Sequence, residues 1–274
     1  MTTQSKTTIN QDLILAARQG LIPVRGSARL GGFGNMLRKE LGQWFGTRTW
    51  WVQTLIWVLI LNGISTIVML NPFSPTEALQ EVVQTFLPMS VGIIGIGTVI
   101  TVQGAIVGEK QLGTAAWAIS KPVSRSAFIL AKMLAYTIGY FVTAILIPST
   151  IFFFTVKALI PAPLPLIPFL FGAAITVLGQ LFYLTLTLML GTFYNSRGPI
   201  AGIGIGFIMT GLLLKGFIPM QVLIATPWPL PDVAAGLALG SELPSTWPVP
   251  IIATTFWIII MIAAALWRFE REEF

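Results

Sequence analysis

Six long apolar stretches constrain this chain more than anything else in it. They run at about 50–70, 86–107, 128–156, 166–193, 199–217 and 250–267. A helix needs roughly 20 apolar residues to cross a hydrocarbon core about 30 Å thick, and each stretch approaches or exceeds that length. Strands of a membrane β-barrel would instead alternate in polarity over segments of ~10 residues. Continuous apolarity excludes that arrangement. Composition agrees, because only 9% of the residues are charged and 55% are hydrophobic, against roughly 25% charged in a soluble domain. The expected fold class is an all-α polytopic membrane protein with six transmembrane helices.

Orientation follows from the cations, since cytoplasmic loops carry the Lys/Arg excess. Threading the six runs back and forth gathers Lys6, Arg18, Arg25, Arg29, Arg38, Lys39 and Arg48 on one side, before the first run. The connection after the second run adds Lys110, Lys121, Arg125 and Lys132 to that side, and Arg197, Arg268 and Arg271 follow. Of the 16 Lys and Arg, only Lys157 and Lys215 fall on the other side. Both termini are therefore expected in the cytoplasm, with the chain multi-pass in a cell inner (plasma) membrane and in contact with its lipid. The net charge of +6 expresses this bias. No compact basic patch with stacking aromatics stands apart from the membrane flanks, so no nucleic-acid partner is expected.

Absences narrow the chemistry further. The chain has no Cys and no His, which removes thiol redox, His-ligated haem and the usual zinc sites. No G-x-x-x-x-G-K-[ST] occurs, so the chain has no P-loop of its own. Neither cofactor nor metal is expected, nor catalysis by the chain itself. No basic start followed by a hydrophobic core marks a secretory signal peptide in the first thirty residues. No Asp or Glu falls at mid-depth in any run, where ion-coupled carriers place their relays. Lys132 and Lys215 lie near run ends, where long side chains snorkel toward water.

The polar, Pro-interrupted segment 108–125, "GEKQLGTAAWAISKPVSR", parts the second and third runs. Its composition predicts a short helix over about 109–120 that ends before Pro122, with Ser124 or Ser126 capping the third span. A helix tied directly to two spans is a mechanical handle; the alternative is a solvated loop placed for topology alone. "VGEKQLGTAAWAISKPVSRSAFILAK" resembles the connection between the second and third spans of ABC-2 type transporter permeases. The matching positions are Glu109, Gly113, Thr114, Pro122, Ser124, Arg125 and Lys132. "MLRKELGQWFGTRTWW" resembles that family's amphipathic elbow before the first span, and "LWRFEREEF" its short charged tail.

The resemblance spans about 36–274 and implies a six-helix ABC-2 type transmembrane domain, with an elbow helix at 36–48 and a coupling loop at 108–125. Residues 1–35 are then a cytoplasmic extension and linker. It also implies partners: a separate ABC ATP-binding subunit, which supplies the missing P-loop, and a second permease subunit in a homo- or heterodimer. Glu109, Lys110, Gly113 and Thr114 would touch the ATPase, while Lys121, Pro122 and Arg125 shape the turn.

Other patterns have plainer readings. Met36, Leu37, Leu41, Trp44 and Phe45 share a helical face opposite Arg38, Lys39 and Arg48, as in a helix lying in the membrane interface. Gly202 with Gly206, and Gly104 with Gly108, form small-xxx-small pairs that suit close helix packing. The outer segment 219–249 is too rich in Pro for one helix; within it "DVAAGLALG" predicts a short helix capped by Asp232 and ended by Gly240. The implied function is the permease subunit of an ATP-driven exporter. Two readings of other classes stay open: a non-transporting membrane subunit that anchors or regulates a larger complex, and a polytopic lipid-modifying enzyme, which the lack of clustered acids or His disfavours.

Overall fold

The computed structural model describes residues 30–113 and 123–272. The described part is helical. α1 (Phe33–Phe45) precedes α2 (Thr49–Met69), α3 (Pro75–Val102) and the short α4 (Val107–Gln111). Then come α5 (Arg125–Leu159), α6 (Leu166–Phe193), α7 (Arg197–Leu214), α8 (Leu230–Leu239) and α9 (Pro248–Glu270). Among the described residues, six helices are long and apolar enough to cross a membrane: α2, α3 running on into α4, α5, α6, α7 with its last turn, and α9.

The apolar runs locate these helices, but local chemistry sets their ends. The second helix starts at Pro75, well before the run at 86. Ser74 and Glu77 form a capping box, with Glu77 Oε2 accepting from the Ser74 amide at 3.0 Å, and Pro75 occupies the first turn. Such a box satisfies otherwise orphaned donors and lets a helix begin in polar sequence. Of the two caps expected for the third span, Ser124 is the one used, accepting from the Ala127 amide at 3.1 Å. At α8 the expectation for Asp232 fails. Pro229 stands at the cap position and Asp232 in the first turn, because Leu230 and Pro231 already adopt the helix. Gly240 does end α8, in the left-handed conformation (φ 64°) that glycine enters without penalty.

Two helices widen into π-turns, α2 at Val58–Asn62 and α5 at Phe141–Leu146. Pro148 explains the second, because it lacks the amide that would bond the carbonyl one turn earlier and its ring crowds that carbonyl. Asn62, from the other π-turn, donates to the Pro148 carbonyl at 3.3 Å. Hydroxyls elsewhere are satisfied within their own helices: Ser65, Ser90, Thr98, Thr143 and Thr187 each donate to the carbonyl four residues back, at 2.7–2.8 Å. That is how polar side chains persist in apolar helices.

α6 is the centre, packed by α3, α8 and α9. Buried rings stack through the core, with Phe86 on Phe152 at 3.9 Å and Phe128 on Phe269 at 5.2 Å. Around this core Leu59, Ile67, Phe154, Ile252 and Phe256 each stand more than 60% exposed. Such a girdle is unsustainable in water and ordinary in lipid.

Glycines divide by surroundings. Gly204 faces Val99 and Gly95 faces Tyr183, in contacts where a Cβ would not fit. Gly202 and Gly206, expected to pack, instead face open space. Gly104 and Gly108 receive the Arg197 guanidinium rather than a helix.

Candidate functional site

The charges concentrate at one end of the bundle, where α1, α4, the start of α5, the end of α6 and the tail after α9 meet. Lys132, on the second turn of α5, has its ammonium 3.0 Å from Glu40 Oε1 and 2.9 Å from Glu109 Oε1. Its side chain is 3% exposed, so it does not snorkel, contrary to the expectation for it. The two carboxylates give it a reason to stay inside. Lys39 adds longer contacts, 3.5 Å to Glu40 and 3.3 Å to Glu109. Among the described residues, two cations and two anions thus meet in a four-residue cluster joining α1, α4 and α5.

A second set of bonds binds the same α4 to the far side. Lys110 donates to the Thr192 carbonyl at the end of α6 (2.9 Å) and to Glu272 of the tail (3.0 Å). Gln111 reaches the Asn195 carbonyl at 2.8 Å. Glu272 also pairs with Arg268 at 2.7 Å. Arg125 donates to the carbonyls of Glu270 and Glu272 at 2.5 and 2.8 Å, and Ser126 to the Glu270 carboxylate at 3.0 Å. Two adjacent residues of α4, Glu109 and Lys110, therefore grip opposite flanks of the bundle. Removing one partner from a buried pair strands the other charge, which is why such pairs hold elements together even where they add little net stability.

Of the sequence-derived site residues, Glu109, Lys110 and Arg125 come together here, engaged within the chain. Gly113 lies just beyond, in the left-handed region (φ 67°) with open space around it. It ends the helix: α4 stops at Gln111, and the expected continuous helix over 109–120 is interrupted at Gly113. Thr114, Lys121 and Pro122 lie outside the described residues. Leu112, on the same turn, projects 79% exposed. Glu40 went unnoticed in the sequence, although a signal was there. It sits four residues from both Met36 and Trp44, on the buried face of α1, and an acid in that position calls for a buried cation. Glu272, read only as part of a charged tail, was missed as well.

At the opposite end, Lys215 pairs with Asp232 of α8 at 3.0 Å, both partly exposed. α8 itself wedges against α6, where Gly172 lets the Ala234 carbonyl approach closely enough that a Cβ would stand 2.5 Å from it.

These features define a class: a helical membrane protein with six potential spans, most of whose ion pairs are gathered at one end. Residues 74–274 match the family model described as "Protein of unknown function (DUF2705)", and the chain belongs to that family. The match opens at the residue that caps α3. It includes Glu109, Lys110, Lys132 and Glu272, while Lys39 and Glu40 precede it. None of the curated proteins matches the chain.

Proposed function

We propose that this chain is the membrane permease subunit of an ATP-driven exporter of the ABC-2 type. In this reading it works as a dimer of permease subunits in the inner (plasma) membrane, with both termini cytoplasmic and α1 lying as an elbow in the interface. A separate ATP-binding subunit docks on the 108–125 connection.

The observation that carries the reading is the wiring of α4. A push delivered to the connection reaches α1 and α5 through Glu109, and α6 and the tail through Lys110. An isolated topological loop needs no such ties. Glu109 and Lys110 then transmit force rather than meet the partner directly. The docking surface falls to the residues beyond them, beginning with exposed Leu112.

The test is affinity capture of the tagged chain from native membranes, wild type against Leu112→Asp. Leu112 is exposed, so the substitution leaves the bundle folded. Wild type should bring down a P-loop ATPase, and the variant should lose most of it, since a charge placed in an apolar contact costs on the order of 2 kcal/mol or more, a factor of about 30 in affinity. Capture of a complex without any ATPase would instead support the anchoring or regulatory role.

A further inference from the structure

Beneath α1, beside the ionic cluster, lies a cavity of about 310 Å³. Its walls come from four elements and mix polar groups with aromatic and aliphatic surface: Glu40 and Trp44 of α1, Thr49 and Gln53 of α2, Thr101 of α3 and Tyr136 of α5. The larger cavity between α5 and α6, about 470 Å³, is walled by Phe141, Phe153, Phe169 and aliphatic chains and has the character of a lipid-facing groove. The smaller one has the features of a site for a polar ligand.

Its polar atoms are unevenly spent. Both lysines of the cluster approach Glu40 through Oε1, and among the described residues no hydrogen bond reaches Oε2. Gln53 Oε1 is covered and has no partner among the described residues. The Thr101 hydroxyl is already engaged, with Gly97 and Tyr140. What remains available is acceptor capacity, a carboxylate oxygen and an amide carbonyl, together with one donor, the covered Trp44 indole N–H.

The aromatic wall points the same way. Trp44 and Tyr136 meet edge to face with centroids 5.4 Å apart, and aromatic π-faces attract cations. Finally, the two lysines are not equivalent. Lys132 is buried with short contacts, whereas the Lys39 side chain is 45% exposed and its contacts are longer. Lys39 can swing into solvent and leave its place at Glu40 to another cation, and the charge of the cluster is unchanged when it does.

We propose that this cavity binds a primary ammonium group, with Glu40 and Gln53 accepting its N–H bonds and the Trp44 and Tyr136 rings flanking it. Ethanolamine is the fitting chemistry, carried by an aminophospholipid headgroup or free as a small amine. A quaternary ammonium satisfies the rings but offers no N–H to either acceptor, so choline is the poorer ligand. The site stands independently of the exporter reading, since it needs only the described fold in a membrane.

The experiment uses the full chain in nanodiscs of phosphatidylglycerol, titrated calorimetrically with ethanolamine and with choline, together with native mass spectrometry of lipid retained after purification. Ethanolamine should bind saturably and at least about ten-fold more tightly than choline. Gln53→Leu should weaken it about ten-fold, with the thermal midpoint of unfolding unchanged, because a carbonyl without a partner is removed. Glu40→Gln should abolish binding, and any loss of stability there is separated from the ligand effect by the Gln53 variant. Selective retention of phosphatidylethanolamine, displaced by added ethanolamine, identifies the lipid headgroup as the source. Equal retention of both lipids with ethanolamine still bound identifies a free amine. The proposal is overturned by absence of both ethanolamine binding and selective lipid retention, by choline matching ethanolamine, or by undiminished binding in Gln53→Leu.

Discussion

The two ends of the bundle are held by different physics. At one end, Lys132, Glu40 and Glu109 are drawn under α1 and paired at 2.9–3.0 Å, and Lys110 does the same for α6 and the tail. At the other, α8 is wedged in by small residues, with Ala234 and Ala238 fully buried against Gly172, and the Lys215–Asp232 pair is left at the surface. Ionic ties are directional and fail together when one member goes. Apolar wedging is additive and forgiving of polarity at its rim. On the proposed reading, the end that passes a push between elements benefits from the first, and the opposite end from the second.

The sharpest way to break this contrast is to remove the central cation. Lys132→Met takes the shared buried cation from Glu40 and Glu109 under α1, where the half-exposed Lys39 is the other cation among the described residues. Breaking a buried pair in this way costs about 3–5 kcal/mol, and unfolding in nanodiscs followed by tryptophan fluorescence should show a loss of that order. Adding Glu40→Leu to the same variant should recover a large part of it, since Glu109 then keeps Lys39 and no acid is stranded. A loss under about 1 kcal/mol in the single variant, typical of exposed pairs, would show that the cluster is a surface feature and that the two ends do not differ as described.

The wedge is probed by bulk rather than charge. Gly172→Val places a side chain where the Ala234 carbonyl, the Ala238 Cβ at 2.9 Å and Leu87 at 3.0 Å already stand. Overpacking of this kind costs about 1–3 kcal/mol, and the strain should be local. Hydrogen exchange should rise across 230–239 while the amides of α1 and α4 keep their protection. Loss of protection at both ends would mean that the wedge and the ionic junction form one cooperative unit.

These two regions were unequally legible in the sequence. The spans are read from apolar length alone because lipid demands that length, and their number and centres needed no tertiary information. Ends depend on caps, so the box at Ser74 and Glu77 moved the start of α3 eleven residues ahead of its apolar run. The ionic cluster was largely hidden. Lys132 near a run end has the sequence signature of a snorkelling lysine, and only the approach of Glu40 from α1 and Glu109 from α4 gives it partners inside. Gly113 was singled out as a contact for the ATPase, but its helix-ending conformation depends on a positive φ that composition alone does not reveal. Gly202 and Gly206 show the reverse error, since the small-xxx-small spacing says that two helices can approach there, not that they do.

The smallest expected effect belongs to the other ion pair. Lys215 and Asp232 are 3.0 Å apart, yet their side chains remain 43% and 63% exposed, so water screens them and side-chain entropy opposes the pairing. Exposed pairs contribute about 0–1 kcal/mol, and Lys215→Met also adds apolar surface at the end of α7, where neighbouring Phe217 is already 85% exposed. The variant should therefore unfold within about 1 kcal/mol of the wild type, and its α8 amides should exchange at an unchanged rate, because Leu230, Val233, Ala234 and Ala238 hold that helix without the charge. If the chain transports, activity should stay within a few-fold of wild type. A loss in Lys215→Met as large as that in Lys132→Met would put a working charge at the wedged end and remove the distinction between the two.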